Sequence, residues 1–546
     1  MKEHSLIYSP IGGAGEIGMN MYAYGFKTKD KISYILVDAG VSFPKMDSEP
    51  GVDLIFPNPK LILNNLKDLE GIFITHAHED HLGAIGFIAS KIDCKIFCRK
   101  FTAAIVKDKL KKVNVSEKRV VTVKEWPFEV KLKNASITFF PTNHSVPEAS
   151  FLIIKSKFGV VLHTGDFKID KNPVLGKPLD YKKLGSALGG RPELCIVDST
   201  NMLNENQGKS ESLLKEPIQK IIKQSKGRVI FTTFASNLGR LKVIAEAGEK
   251  SGRSIAVFGR AMNNMLNKAK ETGIFKEFPN LIDPRKAHIV PSENLLVIAT
   301  GSQGEIRAAS AQLSRGKYMG LEIGDGDTFV FSSKTIPGNE VAVNRIINNL
   351  SDKGVDVKYS DDRDFHVSGH TNIPEMMDFY KKVKPLLVFP MHGEIRHLLA
   401  HKKILAEKNV KAEVVRNGEI IEIDKDLRVI KDLSNRSERL FVDGKIIASA
   451  DNTAFRERTK MSSEGLLVIQ IGQRNSKKIL SVQFSSFGLP RFEDYLDELK
   501  TDAERYLNNE TKRKGRYIVD EFERFVREDI YSICGKKPII SVVELE

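Results

Sequence analysis

The sequence predicts an α/β protein: a sheet-rich domain, a parallel α/β domain inserted into it, and a small C-terminal α+β domain. Strand-like segments dominate residues 1–208 and resume at 356–450, whereas short apolar strands alternate with amphipathic helices through 209–355. The polar, charged segment 451–464 has the composition of a linker, and 465–546 has the pattern of an independent domain.

Alternating hydrophobicity and turn residues locate the individual elements. In the first domain we expect strands of one sheet at 120–123, 136–140, 150–154 and 160–164. In the inserted domain we expect parallel strands at 228–232, 254–258, 295–299 and 328–332. In the C-terminal domain we expect strands at 466–471, 479–484 and 538–545, and helices at 493–508 and 519–533.

The first glycines of the chain have the spacing of a dinucleotide-binding fingerprint. Gly13, Gly15 and Gly18 fit G-x-G-x-x-G, and Asp38 follows where a ribose-binding acid is expected. That fingerprint requires a helix directly after the glycines, but residues 19–26 are rich in β-forming residues. We therefore expect a hairpin turn and no dinucleotide site. Two roles stay open for Asp38: it ties loops together beneath a metal site, or it caps a turn.

The composition is that of an ordinary globular protein with excess positive charge. The 546 residues include 84 lysines and arginines against 70 acidic residues, and the net charge of +14 suits a polyanionic partner. Four cysteines are too few for a disulfide framework in this chain. No apolar run is long enough to span a membrane and no signal peptide is recognisable, so we expect a cytoplasmic protein without membrane contact.

A predicted strand at 72–75 and a predicted helix at 82–92 flank a loop dense in metal-binding side chains. The loop carries three imidazoles and one carboxylate: His76, His78, Asp80 and His81. This donor set suits Zn²⁺ or Mn²⁺. Because two metal ions need roughly seven or eight donors, the others must come from later in the chain.

Three later residues stand at strand ends that loops can bring to this cluster. His144 follows a predicted strand, Asp166 ends another, and His392 follows the apolar strand 385–388. The carboxylate of Asp166 has the two oxygens needed to bridge two cations. Any one histidine alone is more often a packed or surface residue, but the H-x-H-x-D-H loop makes a ligand role the better interpretation.

The pattern His76-x-His78-x-Asp80-His81, followed by His144 and Asp166, resembles the metallo-β-lactamase fold. Asp198-Ser-Thr200, His370 and His392 resemble additional motifs of its nucleic-acid-processing branch, the β-CASP nucleases. Longer strings narrow the resemblance to the bacterial ribonuclease J family: Gly12-Gly-Ala-Gly-Glu-Ile-Gly18, Val37-Asp-Ala-Gly-Val-Ser-Phe-Pro44, Thr300-Gly-Ser-Gln-Gly-Glu305, Ile336-Pro-Gly-Asn-Glu340, His366-Val-Ser-Gly-His370 and Pro390-Met-His-Gly-Glu394.

The resemblance implies a fold, a cofactor and catalytic roles. The fold is an αββα sandwich with an inserted β-CASP domain. The resemblance implies two Zn²⁺ ions, with Mn²⁺ or Mg²⁺ as alternatives. One ion would be held by His76, His78 and His144, the other by Asp80, His81 and His392, and Asp166 would bridge them. The implied catalytic residues are Asp80, Asp198 and His370, with His370 as general acid. Asp198 also has a purely structural alternative as a helix N-cap.

The resemblance further implies single-stranded RNA as substrate. The RNA would be trimmed 5′-to-3′ from monophosphorylated ends and also cut internally, in mRNA decay and rRNA maturation. The residues expected to bind RNA are His366, Val367, Ser368, Gly369, His370, Ala235, Ser236, Asn237, Ser332 and Ser333.

Weaker expectations concern a second ion and protein partners. A structural Ca²⁺ would be held by the carbonyls of Pro50 and Val52 with Asp443, although an Asp-Gly turn explains Asp443 equally well. The resemblance implies a homodimer or homotetramer and RNA-degradation or ribosome partners. The basic run 512–516 is either an RNA contact or a solvated helix end.

Two other functions stay open. One is hydrolysis of a small thioester or lactam, against which the inserted domain and the Asp198 and His370 motifs argue. The other is a weakly active or non-catalytic assembly subunit of a ribonuclease J complex. The complete set of metal donors favours the nuclease over both alternatives.

Overall fold

The structure is a computed structural model that describes residues 4–29, 31–44, 48–359, 365–433, 437–474, 479–514 and 518–544. It forms two compact units, Met1–Ser42 with Phe56–Ser437 and Phe43–Ile55 with Glu438–Glu546. Within these described ranges, no helix has the length and apolar character needed to cross a membrane.

The first unit contains two mixed sheets that carry the histidine motifs. The eight-stranded sheet has, in order, Val429–Asp432, Ile420–Asp424, His4–Gly12, Met21–Thr28, Lys31–Val37, Leu69–Phe73, Ile96–Cys98 and Val120–Thr122. The six-stranded sheet has Leu387–Met391, Leu194–Asp198, Val160–His163, Ser150–Ser156, Ala135–Pro141 and Val130–Lys131. A small ribbon pairs Ala14–Gly15 with Gly393–Glu394.

The N-terminal glycines form a turn between antiparallel strands, as the sequence predicts. His4–Gly12 pairs antiparallel with Met21–Thr28, and no helix lies between them. Gly13 has a φ of 85°, and a Cβ there would lie 2.4 Å from the Asn20 side-chain oxygen. The glycine is therefore required by the turn, and the dinucleotide fingerprint is accidental.

One strand assignment from the sequence is wrong. The segment 120–123 is predicted in the sheet that contains 136–164, but Val120–Thr122 is the edge strand of the other sheet. It pairs in parallel with Ile96–Cys98, and the helix Lys100–Lys112 forms the crossover between them. A short apolar run identifies a strand, but the crossover helix, which packs back onto the sheet it leaves, determines the partner.

The two sheets pack face to face around an apolar core. Tyr24 and Phe73 of the eight-stranded sheet and Phe139 of the six-stranded sheet are buried in this core. Helices Tyr181–Leu188 and Ile373–Val383 cover the other face of the six-stranded sheet. The crossover helix packs on the outer side of the eight-stranded sheet, so the layers run helix, sheet, sheet, helix.

The inserted domain is a parallel α/β domain, as predicted. Its sheet has, in order, Leu281–Ile282, Ser254–Phe258, Leu295–Ala299, Val229–Thr232, Thr328–Phe331 and Asp356–Lys358, all parallel. The carboxyl ends of the strands therefore meet at one edge, where ligands of such sheets usually bind.

The structure describes twelve α-helices in the first unit. They are Lys60–Leu63, Glu79–Leu82, Ile85–Ala89, Lys100–Lys112, Tyr181–Leu188, Lys215–Gln224, Leu238–Lys250, Arg260–Thr272, Ala309–Arg315, Glu340–Asp352, Ile373–Val383 and Ile395–Ala406.

The second unit contains a hairpin and the α+β domain that the sequence predicts. Its strands are Arg439–Asp443 with Ile446–Ser449, and Ile479–Phe487, Leu466–Arg474 and Ile539–Glu544 in sheet order. Its helices are Thr453–Glu464, Leu496–Lys514 and Val519–Cys534. The first of these helices lies in the segment predicted as a linker, and the exact domain boundaries stay predictions. The side chains of the basic run 512–516 lie outside the described part of the chain.

Phe139→Ala tests the core between the sheets. Phe139 is fully buried, so its loss leaves a cavity and should lower the free energy of unfolding by about 3–5 kcal/mol. Phe128→Ala removes a ring that is 48% exposed, and its effect should stay below about 0.5 kcal/mol. Urea unfolding followed by the fluorescence of Trp126, the single tryptophan, measures both. Equal losses in the two variants would contradict this packing.

Candidate active site

The histidine-rich loop follows the strand Leu69–Phe73 and is held in place by backbone hydrogen bonds. Its second half forms the short helix Glu79–Leu82. Neighbouring backbone amides donate to three carbonyls of the loop: Asn20 to Asp80 at 2.9 Å, Ala39 to His81 at 2.7 Å and Val41 to Glu79 at 3.1 Å. A Cβ on Gly40 would lie 1.8 Å from the Asp80 carbonyl oxygen, so only glycine permits this approach.

Asp38 lies beneath the loop and orients one of its imidazoles. The fully buried carboxylate accepts a hydrogen bond from His81 Nδ1 at 2.7 Å and from the backbone N–H and the hydroxyl of Thr75 at 2.8 Å. Asp38 itself has a left-handed backbone, with φ of 61°. The sequence left two roles open for Asp38, and this geometry fits the first: Asp38 links the loops beneath the metal donors rather than capping a turn. The bond to Nδ1 leaves Nε2 of His81 for the site.

The donors from later in the chain all lie at one edge of the six-stranded sheet. Ala135–Pro141 and Val160–His163 are both antiparallel to Ser150–Ser156, and therefore run in the same direction. Leu194–Asp198 and Leu387–Met391 continue the sheet in parallel with them. The carboxyl ends of these four strands thus share an edge. The residues at or just beyond those ends are His144, Asp166, Asp198 and His392.

One donor group surrounds His78. Its Nδ1 lies 3.2 Å from His76 Nε2 and 3.1 Å from His144 Nε2. Oδ2 of Asp166 lies 3.7 Å from the Nε2 atoms of His76 and His144. These four residues each offer a ligand atom within 4.8 Å of the others.

A second donor group uses the other oxygen of Asp166. Oδ1 of Asp166 lies 3.1 Å from His81 Nε2 and 3.0 Å from His392 Nδ1. Oδ2 of Asp80 lies 3.6 Å from His81 Nε2 and 3.2 Å from His392 Nε2. The structure therefore brings all seven predicted metal donors together, in the two groups that the resemblance implies, with Asp166 common to both.

The donor geometry fits divalent metal ions. Ligands at about 2.0–2.1 Å from a tetrahedral ion lie about 3.3 Å apart, close to the separations among His76, His78 and His144. Two buried site atoms, Asp166 Oδ1 and His392 Nε2, make no hydrogen bond of acceptable geometry, although the polar atoms described above lie close to them. A bound cation would satisfy both, because buried polar atoms need a partner.

The electrostatics of the protein alone favour cations at this position. Burial holds the pKa of His76 and His144 well below the usual value and lowers the pKa of His78 to about 4, so these imidazoles are neutral ligands. Burial acts in the same direction on His81, but neighbouring carboxylates, Asp166 first, outweigh it and raise its pKa to about 10. A metal ion would displace that proton.

Asp198 and His370 form a pair beside the donors. His370 Nδ1 lies 2.7 Å from Asp198 Oδ2, while Asp198 Oδ1 accepts the backbone N–H of Thr200 at 2.9 Å. No helix begins there, so Asp198 holds a turn rather than capping a helix. Burial disfavours the charged form of His370, but Asp198 and Asp166 raise its pKa above the ordinary value.

The loop 366–370 is held against the site by several side chains. Asn201 Nδ2 donates to Ser368 Oγ at 2.8 Å and to the His370 carbonyl at 3.2 Å. The Gly369 carbonyl lies 2.7 Å from His144 Nδ1, so the loop also orients a metal donor. Val367 is buried as an apolar anchor, and the Nδ1 atom of His366 is buried without a partner.

The residues predicted to bind RNA in the inserted domain lie near the carboxyl edge of its sheet. The Asn237 side chain accepts from the Arg240 N–H at 3.0 Å and caps the helix Leu238–Lys250 that follows Ala235 and Ser236. Ser332 Oγ is buried and donates to the Phe365 carbonyl at 2.6 Å. In contrast, Ser333 Oγ is buried without a partner. Contact of these residues with RNA stays a prediction.

The Ca²⁺ prediction concerns the second unit. There the guanidinium of Arg458 donates to Asp443 Oδ2 at 2.6 Å and to the Pro50 carbonyl at 3.4 Å. A side-chain cation thus bonds to two of the three oxygens assigned to the ion, the third being that of Val52. The Ca²⁺ site stays a prediction.

Several contributing residues were missed from the sequence. Asn20 Nδ2 lies 3.0 Å from His81 Nε2 and 3.4 Å from Asp80 Oδ2, and its own oxygen accepts the Tyr22 hydroxyl at 2.7 Å. Asn201, which holds the loop 366–370, was also missed. Thr200 was identified only as part of the Asp198-Ser-Thr200 motif, and the structure shows that its hydroxyl bonds to Asp198. For Asn20, the only feature of the sequence that could have indicated a role at the site was its position after the glycine turn.

Three family models match successive parts of the chain. "Beta-lactamase superfamily domain" matches residues 33–190, "Ribonuclease J, beta-CASP domain" matches 226–350, and "Zn-dependent metallo-hydrolase RNA specificity domain" matches 354–415. Together with the sandwich and the clustered donors, these matches define a metallo-β-lactamase hydrolase with a β-CASP domain. The predicted fold class is confirmed.

Full-length relatives narrow this class. The chain is 33% identical to ribonuclease J of Sinorhizobium meliloti over 99% of its length and 97% of the relative. It is 35% identical to ribonuclease J 1 of Streptococcus pyogenes, over 86% of this chain and 84% of the relative. The chain belongs to the ribonuclease J family, and the predicted family is confirmed. It is accordingly a metal-binding nuclease.

A solved structure shares the fold. It is described as a protein of unknown function from Enterococcus faecalis V583, with a TM-score of 0.53 and 16% identity. The match covers 77% of this chain and 100% of that chain. At this identity the similarity concerns the fold alone.

Asp38→Asn tests the support beneath the metal donors. The change removes the charge that orients His81, so we expect metal affinity to fall about 10–100-fold. Asp180→Asn, a change at the N-cap of Tyr181–Leu188 outside the donor groups, is the control and should leave affinity unchanged. Competition with a chelating dye measures both. Equal affinities in the two variants would contradict the role of Asp38.

Proposed function

We propose that the protein hydrolyses RNA phosphodiesters by a two-metal mechanism, as a 5′-to-3′ exonuclease that prefers 5′-monophosphate ends and also cuts internally. The observation that carries the proposal is the shared position of Asp166 between two donor groups, beside the Asp198–His370 pair. Zn²⁺ is the proposed metal, with Mn²⁺ or Mg²⁺ as alternatives.

When bound, two cations would lower the pKa of a water molecule and neutralise charge on the phosphate oxygens. The side chains supply the rest. Asp198 holds His370 through Nδ1, which leaves Nε2 to carry a proton. That Nε2 lies 4.0 Å from Asp166 Oδ2 and therefore faces the donor groups. His370 is thus positioned to protonate the leaving 3′-oxygen as general acid.

The loop 366–370 is the proposed pocket for the terminal phosphate. It contains Gly369 and the hydroxyl of Ser368, and backbone N–H groups in such turns bind anions. The contact of Gly369 with His144 supports this proposal, because a phosphate held at the loop would present the first linkage of the strand to the donor groups. Roles in mRNA decay and rRNA maturation, and assembly as a homodimer or homotetramer, are part of the proposal and rest on membership of the ribonuclease J family.

His78→Ala tests the hydrolytic proposal. The wild-type protein with Mn²⁺ or Zn²⁺ should release mononucleotides from 5′-monophosphorylated single-stranded RNA, and the variant should lose this activity because it lacks the central donor of one group. End-labelled RNA resolved on gels separates terminal from internal cleavage. RNA that is bound but not cleaved by the wild type would instead support an assembly subunit.

His370→Ala tests the general acid. The variant should keep its bound metal, because His370 belongs neither to the His76, His78 and His144 group nor to the Asp80, His81 and His392 group, although it also lies close to Asp166, Asp198 and His392. We expect kcat to fall about 10²–10⁴-fold. His288→Ala removes an exposed histidine of the inserted domain and is the matched control. Metal content by mass spectrometry and single-turnover rates are the measurements. A variant with normal turnover would remove His370 from the mechanism.

A further inference from the structure

A series of buried charged contacts leads from the residues directly after Asp166 into the inserted domain. Lys168, two residues after Asp166, is 7% exposed. Its ammonium group donates to the Lys209 carbonyl at 3.0 Å and lies 3.5 Å from the Asp170 carboxylate. Asp170 Oδ2 in turn accepts the backbone N–H of Glu211 at 3.0 Å. These contacts fix the segment through which the chain enters the inserted domain.

Arg240 continues the series and is fully buried. Its Nε and Nη2 atoms donate to the two carboxylate oxygens of Glu211. Its Nη1 atom donates to the carbonyl and the hydroxyl of Ser332, each at 2.7 Å, and to the Phe365 carbonyl at 3.0 Å. One guanidinium therefore joins the entry segment, the carboxyl edge of the parallel sheet and the residue that precedes the loop 366–370.

Arginine suits this position because its planar group presents five donors in fixed directions. A buried charge must be paired and hydrogen-bonded to offset the loss of water, so the three partners cannot separate without exposing an unpaired group. Ser332 Oγ adds its own bond to the Phe365 carbonyl, which makes the junction rigid. These bonds therefore fix the start of the loop 366–370 relative to the parallel sheet of the inserted domain.

The positive charges near this junction also affect the protonation of His366 in the loop 366–370. Burial, together with the positive charges of Arg240, Lys168 and Lys334, lowers the pKa of His366 to about 3. His366 is therefore neutral, and the surrounding field favours an anion at the loop.

We propose that Arg240 is a positioning residue for the phosphate pocket: by holding Ser332 and the Phe365 carbonyl, it places the loop 366–370 to receive a 5′-terminal phosphate. The inference rests on the proposed function. We do not expect Arg240 to touch the phosphate itself, because the side chain is fully buried and each of its three nitrogens already donates to Glu211, Ser332 or Phe365. Small displacements of such a loop strongly weaken recognition of a compact anion.

Arg253 offers a matched control in the same domain. It is 8% exposed and its guanidinium donates to four backbone carbonyls: Gly227, Leu295, Ile222 and Ser225. Leu295 begins a strand of the parallel sheet, so Arg253 binds near the amino ends of the strands, opposite the edge that contacts the pocket loop. Arg253→Lys therefore disturbs a buried arginine without touching the junction.

The test compares Arg240→Lys and Arg253→Lys on single-stranded RNA with a 5′-monophosphate or a 5′-hydroxyl. The readouts are kcat and KM of the metal-loaded protein for each RNA, and binding of the same RNAs by fluorescence anisotropy with the metal-free protein, in which they are not cleaved. We expect Arg240→Lys to reduce the preference for the monophosphate at least tenfold, through KM and binding affinity. Arg253→Lys should keep the wild-type preference even where its thermal stability falls.

The inference is overturned if Arg240→Lys keeps the preference, or if Arg253→Lys loses it by the same factor. A wild-type protein that cleaves RNA with no 5′-end preference also overturns it, but leaves the nuclease function intact. If the wild type cleaves no RNA, the proposed function fails. The role of Arg240 is then tested only by whether Arg240→Lys weakens the binding preference for 5′-monophosphate over 5′-hydroxyl RNA in the anisotropy measurement.

Ser332→Ala covers the case in which Arg240→Lys does not fold. It removes only the hydroxyl that bonds to both Arg240 and the Phe365 carbonyl, and it should lower the monophosphate preference in the same direction. Where both variants fold, the double variant should lose no more than Arg240→Lys alone, because the two residues act through one junction. An unchanged preference in Ser332→Ala overturns the inference.

Discussion

The carboxylate of Asp166 is the constraint on which the site depends. One oxygen faces His76 and His144 and the other faces His81 and His392, so a single side chain sets the spacing of the two donor groups. Without it, each group would lose the carboxylate that it shares with the other. In the proposed two-metal hydrolysis, a carboxylate buried among imidazoles in this way would help to hold the positive charge of two ions in a small volume.

The sandwich supplies that carboxylate through strand direction. Two strands that are each antiparallel to Ser150–Ser156, with two more in parallel, deliver His144, Asp166, Asp198 and His392 to one edge although their positions span more than two hundred residues. The local backbone is strained to achieve this, since Asp38 and His392 both have left-handed φ angles, of 61° and 50°. Such strain is typical of functional sites.

Four donors, His76, His78, Asp80 and His81, could be predicted because they are dense and local, whereas His144, Asp166 and His392 were predicted from their positions at strand ends and from the family resemblance. The inserted parallel sheet could be predicted because its periodicity is strong. The sequence misplaced the strand at 120–123, since short apolar runs carry no information about their partners. Asn20 and Arg240 were missed for a different reason. Their roles arise from contacts between segments distant in sequence, and neither residue type is unusual where it stands in the chain. The contacts of Arg458 with Asp443 and Pro50 could not be predicted from the sequence for the same reason.

Anomalous diffraction at the zinc edge, from crystals grown with Zn²⁺, is the most direct test of the shared carboxylate. Two peaks about 3.5–4 Å apart on either side of Asp166 are expected, one among His76, His78 and His144 and the other among Asp80, His81 and His392. A single peak, or peaks that Asp166 does not touch, would contradict the account.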